Sequence, residues 1–350
     1  MTTIDRIPFQ TTLPNSFFSI THDSSDDPAA VLAVFRLEAV RNEIIVYTDH
    51  QTLQLVGIFP HDSTEAYFGF WETTNNLPAN QRAFSMLETD ARQLGQRTLI
   101  GPMNFNTFYR YRLRLTNAPS WGRFDREPTN PAYYPMLMNQ LGFRVRSRFE
   151  SRLIRKEIIP GVYQSKQELL AGLTAIPVDF ISINPDTWQQ NEDEIAELVH
   201  QVFSANPAYK SIQKTQFQSL YNQRFAATLC PYSSVLFRDK QSGKLVAMSF
   251  CQPDYQSLEL PAGHAPNFVR DFPRLDKKVL LVKSVGVHPA FRQRGLMSYI
   301  GAYGMLGFRE WYDEVIFCLM RSDNFSTHFS IGFPYECAQY ALFDRQVSGF

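Results

Sequence analysis

The hydrophobic pattern of the first half of the chain predicts alternating strands and helices. Thr52–Phe59 and Glu65–Thr73 are rich in β-branched and aromatic residues and flank a polar turn at 61–63, which predicts two neighbouring strands. From Asn80 to Leu94, apolar residues recur at helical spacing, and Gly95 follows where a helix would end. The same reasoning predicts a strand at Thr98–Met103, a helix at Tyr133–Leu141 and a strand at Arg144–Glu150.

The second half repeats this order of elements. Strands are predicted at Asp179–Ile183, Val279–Val287 and Glu314–Met320, helices at Asn191–Phe203 and Met297–Trp311, and a hairpin at Ser234–Arg238 and Lys244–Cys251. Asn191 and Glu194 have the spacing of a capping box. Both halves contain a strand, a loop, a helix and an apolar strand that leads to an asparagine, Asn104 or Asn324. This shared order predicts an internal repeat of one α/β unit.

Length and local composition predict where the chain divides. A chain of 350 residues is longer than one core usually requires. The stretch Pro160–Pro177 is rich in proline and glycine and follows a strand-like run, with a short helical segment at Gln164–Leu173. We therefore expect one domain at 1–160 and a second at 175–350.

Charge and cysteine usage narrow the classes of function. Lys plus Arg and Asp plus Glu both number 34, so the chain has no net charge that would attract a nucleic acid, although a local basic patch is possible at Arg144–Arg155. No apolar run approaches the roughly 20 residues of a membrane helix, and the first residues lack a signal core. The four cysteines form no close pair and no histidines have metal-ligand spacing. We expect a cytoplasmic protein without a metal and without a membrane partner.

The segment Ser284–Ile300 carries the most chemical information. A β-rich run ends at His288-Pro289, the basic loop Arg292-Gln293-Arg294-Gly295 follows, and an amphipathic helix then begins. The free N–H groups of a first helical turn favour an anion, and arginines are suited to phosphate. A glycine allows close approach of the backbone. The segment therefore predicts a cradle for a diphosphate, without a Walker lysine or a Rossmann glycine triplet.

These residues resemble the GNAT (N-acetyltransferase) superfamily. Its Arg/Gln-x-x-Gly-x-Gly/Ala signature matches residues 292–297, except that Met297 replaces the usual small residue. The resemblance implies an α/β fold of the mixed-sheet (α+β) kind, with each domain a twisted mixed sheet flanked by helices. It also implies acetyl-CoA, or another acyl-CoA, as co-substrate. The cofactor-binding residues it implies are Val285, Gly286, Val287, Arg292, Gln293, Arg294, Gly295, Leu296, Met297 and Asn324.

The catalytic residues depart from the family pattern. The closing helix with its acid tyrosine is missing, because Asn324 reaches Gly332-Phe333 within eight residues. Lys283 and Ser284 stand where a basic glutamate is common. The catalytic candidates are therefore Asn324, which the resemblance places near the cofactor, His328 near the thioester, and Tyr335 as a replacement acid.

The first half resembles the same family in a degenerate form. Its segments 67–72, 100–105 and 130–143 are GNAT-like, and the last one retains a tyrosine and a Gly-Phe closing pair. Its loop Thr74–Asn80 contains neither arginine nor glycine and makes a poor phosphate cradle. The sequence thus predicts tandem GNAT-like domains in which only the second binds acyl-CoA.

Three functions remain open at this point. The leading hypothesis is an N-acyltransferase that moves an acyl group, acetyl above all, from CoA to a primary amine of a small molecule or peptide, by direct attack in a ternary complex. A second is an acyl-CoA-binding sensor without turnover. A third is an acyltransferase that uses the thioester of a carrier protein as its donor.

Overall fold

The structure, a computed structural model, describes residues 3–20, 27–206, 208–261 and 263–349, which form two compact units. The first unit contains Met1–Asn117, Pro128–Arg148 and Gln339–Phe350. The second unit contains Ala118–Glu127 and Phe149–Ala338.

These units differ from the predicted ranges 1–160 and 175–350 because strand pairing decides them. One strand leaves the first unit at Arg148 and continues into the second from Phe149, well before the proline-rich stretch. The C-terminal strand returns to the first unit, where Phe343 lies opposite Gly101. Pairing between residues so distant in sequence leaves no mark on local composition.

The first unit contains a mixed sheet with helices. Its elements, in chain order, are β1 (Asp5–Pro8), α1 (Pro28–Glu38), β2 (Asn42–Thr48), β3 (Leu53–Pro60), β4 (Glu65–Thr73), α2 (Leu77–Gln93), β5 (Thr98–Gly101), β6 (Leu113–Arg114), α3 (Tyr134–Gln140) and the start of β7 (Arg144–Ile154). Strands β1 to β4 pair antiparallel, whereas β4 and β5 are parallel and joined by α2. Phe68, Phe84 and Phe143 pack edge-on or tilted against one another in the core between α2 and the sheet.

The second unit repeats this arrangement. Its elements are the end of β7, α4 (Ile159–Gln164), α5 (Gln167–Gly172), β8 (Val178–Ser182), α6 (Pro185–Phe203), α7 (Lys214–Leu220), α8 (Gln223–Ala226), β9 (Val235–Asp239), β10 (Leu245–Pro253), α9 (Phe268–Asp271), β11 (Val279–Val287), α10 (Leu296–Trp311), β12 (Glu314–Arg321) and the start of β13 (Glu336–Gln346). Short 3-10 turns lie at Pro289–Arg294 and Phe325–Ser330. The strand order is β7-β12-β11-β10-β9-β8, with β11 and β12 parallel and joined by α10.

The mixed α/β fold and the repeat predicted from the sequence are confirmed. In each unit an antiparallel pair of strands leads into a parallel pair that is connected by one helix, α2 or α10. The strand Val279–Val287 has the predicted bounds, and α10 begins one residue before the predicted Met297.

Two local predictions were wrong. Helix α6 begins at Pro185 rather than Asn191, because the side chain of Asn184 accepts hydrogen bonds from the N–H groups of Asp186 and Thr187. The side chain of Asn191 donates instead to the carbonyl of Thr187 within the helix. The predicted helix Gln164–Leu173 is divided between α4 and α5.

Close packing between β11 and α6 requires a glycine at position 286. A Cβ atom at this position would lie 2.1 Å from Cγ1 of Val202 on α6. Gly286 and Val202 are both buried, so there is little room for either to move. The glycine therefore allows α6 to lie directly on β11.

We expect Gly286→Ala to lower the free energy of unfolding by about 1–3 kcal/mol, the usual cost of overpacking. Urea denaturation followed by circular dichroism measures this change. Adding Val202→Ala removes the clashing methyl group and should recover part of the loss. Equal stability of Gly286→Ala and the wild type would contradict this role of Gly286.

Candidate active site

Strands β11 and β12 separate in the middle of the second unit's sheet. They pair in parallel from Val279–Glu314 to Val282–Phe317, and beyond this point β11 continues to Val287 without β12 beside it. On the other side, β11 stays paired with β10, but Lys283 is skipped in the register between Val282 and Ser284. Such a bulge bends a strand and increases its twist, which accounts for the divergence.

The separation leaves backbone groups of β11 facing a gap. In an antiparallel pair, hydrogen-bonded and non-bonded residue pairs alternate. The N–H of His288 donates to the carbonyl of Val246 at 2.8 Å, so the pairs of Val287 and Val285 with β10 are the non-bonded ones. Their N–H and C=O groups point away from β10, towards the space that β12 has left.

The loop after β11 presents the start of a long helix. Gly295 has a left-handed backbone (φ 71°), and no side chain of the described residues caps the N-terminus of α10. A Cβ at Gly295 would meet no heavy atom within 4 Å, so the space above it is open. The uncapped N–H groups and the helix dipole make this turn a place for an anion.

The two arginines of this loop are held by the protein itself. Arg292 donates to the carbonyl of Val287 at 3.4 Å and to that of Val202 at 3.2 Å, near the C-terminal end of α6. Arg294 forms an ion pair of 3.1 Å with Asp239 and lies over the ring of Phe291. Both arginines remain exposed at the surface, so they add positive charge beside the turn.

A pocket lies between the sheet and α10. Of the predicted site residues, Val285 and His328 line it, and Ser298 in the first turn of α10 lines it as well. His328 stacks on Phe325 with ring centroids 4.9 Å apart. Its Nδ1 is 3.0 Å from the carbonyl of Phe325, which only accepts, so Nδ1 carries the proton and Nε2 is left as the acceptor of the neutral ring.

Asn324 and Tyr335 do not line this pocket. Asn324 is exposed, and its carbonyl accepts hydrogen bonds from Thr327 at the start of the Phe325–Ser330 turn. The ring of Tyr335 lies 4.4 Å from the guanidinium carbon of Arg152. Arg152, nearly buried, donates to Thr327 and Ser330 and is paired with Glu150, so it holds the turn that carries His328.

A polar group lies on the opposite face of the sheet. The ammonium group of Lys283, the bulge residue, is 2.8 Å from the carboxylate and from the carbonyl of Asp125. Burial raises the pKa of Asp254, and the charge of Asp125 adds to this effect. The pKa of Asp125 is lowered by the charge of Lys283 and its hydrogen bond, although burial opposes this. Sequence reasoning found Lys283 but not Asp125 or Asp254, because neither lies near the loop in the sequence.

The cysteines are not activated nucleophiles. All four are free thiols. Burial raises the pKa of Cys251, which lines the pocket, to about 12, and that of Cys337 to about 11. Burial likewise raises the pKa values of Cys230 and Cys318. These thiols stay protonated at neutral pH, which disfavours a covalent acyl-enzyme on cysteine.

The first unit has the same strand separation, but its backbone groups are occupied. Strands β4 and β5 pair only from Glu65–Thr98 to Tyr67–Ile100. Beyond this point the N–H of Phe70 donates to Asn104 at 2.8 Å, and the N–H of Thr73 donates to the hydroxyl of Tyr134 at 2.9 Å. The side chain of Asn76 caps α2. Nothing comparable to the open turn at Gly295 remains at the start of α2.

Two general features concern metals and membranes. Within the described ranges, no group of three or more His, Cys, Asp or Glu side chains is arranged to hold a metal ion. Over the same ranges, every helix is too short or too polar to cross a membrane.

Solved structures show the fold. A tandem GNAT protein from the clavulanic acid biosynthesis pathway aligns with 99% of this chain over 100% of its own length (TM-score 0.50, 10% identity). A protein of unknown function from Enterococcus faecalis V583, described as a probable N-acyltransferase, aligns over 99% of this chain and 73% of its own (TM-score 0.53, 11% identity). A glucosamine N-acetyltransferase region of a fungal β-N-acetylglucosaminidase aligns over 99% of this chain and 38% of that one (TM-score 0.50, 13% identity). No protein-family model and no curated protein matches the sequence. The chain thus has the tandem GNAT fold.

The ion pair of Asp239 with Arg294 predicts a pH-dependent contribution to stability. Hydrogen bonds from Ser242, and then Arg294, hold the pKa of Asp239 below its ordinary 3.8. As pH falls, the carboxyl group of Asp239 is protonated in the unfolded chain before it is protonated in the folded one. The ion pair therefore contributes to the free energy of unfolding above about pH 4, and this contribution decreases as the pH falls below 3.8. We expect Asp239→Asn to lower the melting temperature at pH 6, with a difference from the wild type that shrinks towards pH 3. A constant difference across this range would assign the effect to packing alone.

Proposed function

We propose that the second unit is an N-acyltransferase that moves an acyl group from CoA to a primary amine. The observation that carries this proposal is that Val285 and Val287 have no strand partner on the β12 side, and that one short turn later the uncapped N-terminus of α10 begins at Gly295. The backbone of β11 can form hydrogen bonds with an extended ligand that contains amides, and the N-terminus of α10 can bind an anion at one end of that ligand. The tandem GNAT fold, shared with a probable N-acyltransferase, supports the same conclusion.

The residues present fit acyl-CoA. The N–H groups of Gly295, Leu296 and Met297 would hold the diphosphate in the open space at Gly295, with Arg292 and Arg294 supplying positive charge nearby. The N–H groups of Val285 and Val287 and the C=O of Val285 would pair with the amides of the pantetheine arm, whereas the C=O of Val287 accepts from Arg292. Bound acyl-CoA supplies an activated thioester.

The backbone of β11 also provides a donor for the thioester carbonyl. Stabilisation of a developing oxyanion requires a fixed N–H aimed at it. Val287 and Val285 meet this requirement, whereas the N–H of Gly286 is directed towards β10 by the alternation of the ladder. The oxyanion donor is therefore Val285 or Val287.

Proton transfer requires groups near the sulfur and near the amine. His328 lines the pocket, and its Nε2 can accept the proton that the attacking amine loses. The imidazolium that results can then pass this proton to the departing sulfur. On the other face, Lys283 and the carboxyl groups of Asp125 and Asp254 lie by the strand separation, where an amine acceptor would approach. The acceptor is a small molecule or a peptide that presents a primary amine.

A second function is supported by one specific feature. The Phe325–Ser330 turn contains no tyrosine in place of the family's acid, and Tyr335 stacks on Arg152 instead of lining the pocket. An acyl-CoA-binding protein without turnover would have this arrangement. It predicts measurable CoA affinity but no release of free thiol with any amine.

Gly295→Ala is expected to weaken CoA binding at least tenfold, because its Cβ occupies the space of the diphosphate. Isothermal titration with CoA measures the affinity. Gly243→Ala is the matched control, since Gly243 has nearly the same backbone (φ 70°) and the same open surroundings, but lies in the β9–β10 turn. Both variants should lose about 1–2 kcal/mol of stability from the left-handed backbone. Equal CoA affinity in both variants, or no binding by the wild type, would rule out the proposed donor site.

His328→Phe is expected to lower kcat at least tenfold while leaving the CoA affinity close to the wild type, because it keeps the stacked ring but removes the proton carrier. Thiol release with a panel of amines measures turnover. Tyr335→Phe keeps the contact with Arg152 and should leave kcat unchanged. The reverse result would assign the acid to Tyr335, and no turnover by the wild type with any amine would favour the binding function.

A further inference from the structure

The pocket between α10 and the sheet extends beyond the place where an acetyl group would lie. We call it the α10 cavity, and it is lined by one face of β10, β11 and β12, by α10, and by the Phe325–Ser330 turn. Along β11 its wall contains Val285, Val282 and Leu280, which share this face because of the bulge at Lys283. The partners of Val285 and Leu280 on β10, Ser249 and Pro253, are four residues apart, so at about 3.3 Å per residue Val285 and Leu280 are about 13 Å apart along the strand.

The inner part of the α10 cavity lies beyond the strand separation. Leu280 and Val315 face each other deeper than the last closed pair, Val282 and Phe317. Ile154, Val162 and Phe308 complete this inner wall. An acyl-CoA whose arm pairs with Val285 and Val287 would have its thioester near the bulge, so only the chain attached to the thioester can reach this inner part.

Two glycines of α10 line the cavity, and Gly304 leaves open space in it. A Cβ at Gly304 would meet no heavy atom within 4 Å, while one at Gly301 would lie 2.9 Å from the ring of Phe329. Glycine within a helix costs about 1 kcal/mol relative to alanine. No close contact explains the glycine at position 304, because no neighbouring atom would clash with a Cβ there. The glycine instead leaves an open volume beside the helix.

The chemistry of the wall indicates the kind of chain. Its inner residues are aliphatic or aromatic, and an apolar cavity favours apolar atoms over water. Cys251, in the same wall, is a neutral thiol because burial raises its pKa to about 12. Lys166 is the one ammonium group among the described residues of the lining, so a carboxylate-ended chain is the alternative that the experiment must separate.

We propose that the α10 cavity holds the acyl chain of the donor, and that the donor carries a medium-length or longer aliphatic chain instead of acetyl. This inference rests on the proposed function and specifies the substrate of the same site. Each methylene group buried in the cavity increases the affinity about fourfold. Chain length, rather than the CoA moiety common to all donors, then decides which thioester the protein prefers.

Isothermal titration of the full chain with acetyl-, octanoyl-, palmitoyl- and glutaryl-CoA tests the proposal. We expect octanoyl-CoA to bind at least tenfold more tightly than acetyl-CoA, and glutaryl-CoA no more tightly than acetyl-CoA. Equal affinity for all four thioesters would overturn the inference and leave the proposed function standing. Preference for glutaryl-CoA would also overturn it, and absence of binding by any CoA compound would overturn both.

Gly304→Leu tests the location of the chain. Leucine fills the open volume, and it favours the helix, so the variant should melt no lower than the wild type. We expect the ratio of octanoyl-CoA to acetyl-CoA affinity to fall at least tenfold. Leu306→Phe, which adds volume on the exposed side of the same helix, should leave this ratio unchanged. An unchanged ratio in Gly304→Leu would place the chain elsewhere and overturn the assignment.

Discussion

The bulge at Lys283 is the constraint on which the rest of the second unit depends. A β-strand inside a sheet normally satisfies its backbone on both sides, and unsatisfied buried N–H and C=O groups are costly. By adding one residue, β11 keeps its pairing with β10 and turns away from β12 after Val282. Val285 and Val287 are left without a strand partner on the β12 side. The chain then continues from this end of β11 through the Gly295 turn into α10.

The two units show the same strand separation with opposite outcomes. In the first unit, Asn104, Tyr133 and Tyr134 bond to the backbone of β4, and Asn76 caps the helix that follows. In the second unit the carbonyl of Val287 accepts from Arg292, but no side chain of the described residues bonds to the N–H of Val285 or Val287, and the glycine turn stays open. A few polar side chains are therefore enough to change an open site into a closed structural core without changing the topology.

Sequence reasoning worked where the chemistry was contiguous. The strand and the helix that flank residues 292–297 were predicted correctly, because strand composition, helix spacing and the glycine all lie within one short segment. The partners of that segment could not be found, since Val202, Asp239 and Asp125 come close only through the fold. For this reason the sequence did not reveal that Arg292 and Arg294, expected to contact phosphate, also have protein partners. It also did not reveal that Gly286 packs against Val202. The bounds of the units could not be predicted from the sequence either, because they depend on pairing between strands that are distant in the chain.

The position of β13 has a consequence for how the protein is made. Residues 339–346 of this strand complete the sheet of the first unit, where β5 pairs with them. On the ribosome, β5 is synthesised some 240 residues before its partner, and during that interval it has an unpaired edge of the kind that attracts other strands. The first unit is therefore synthesised first but cannot complete its sheet until β13 has been synthesised.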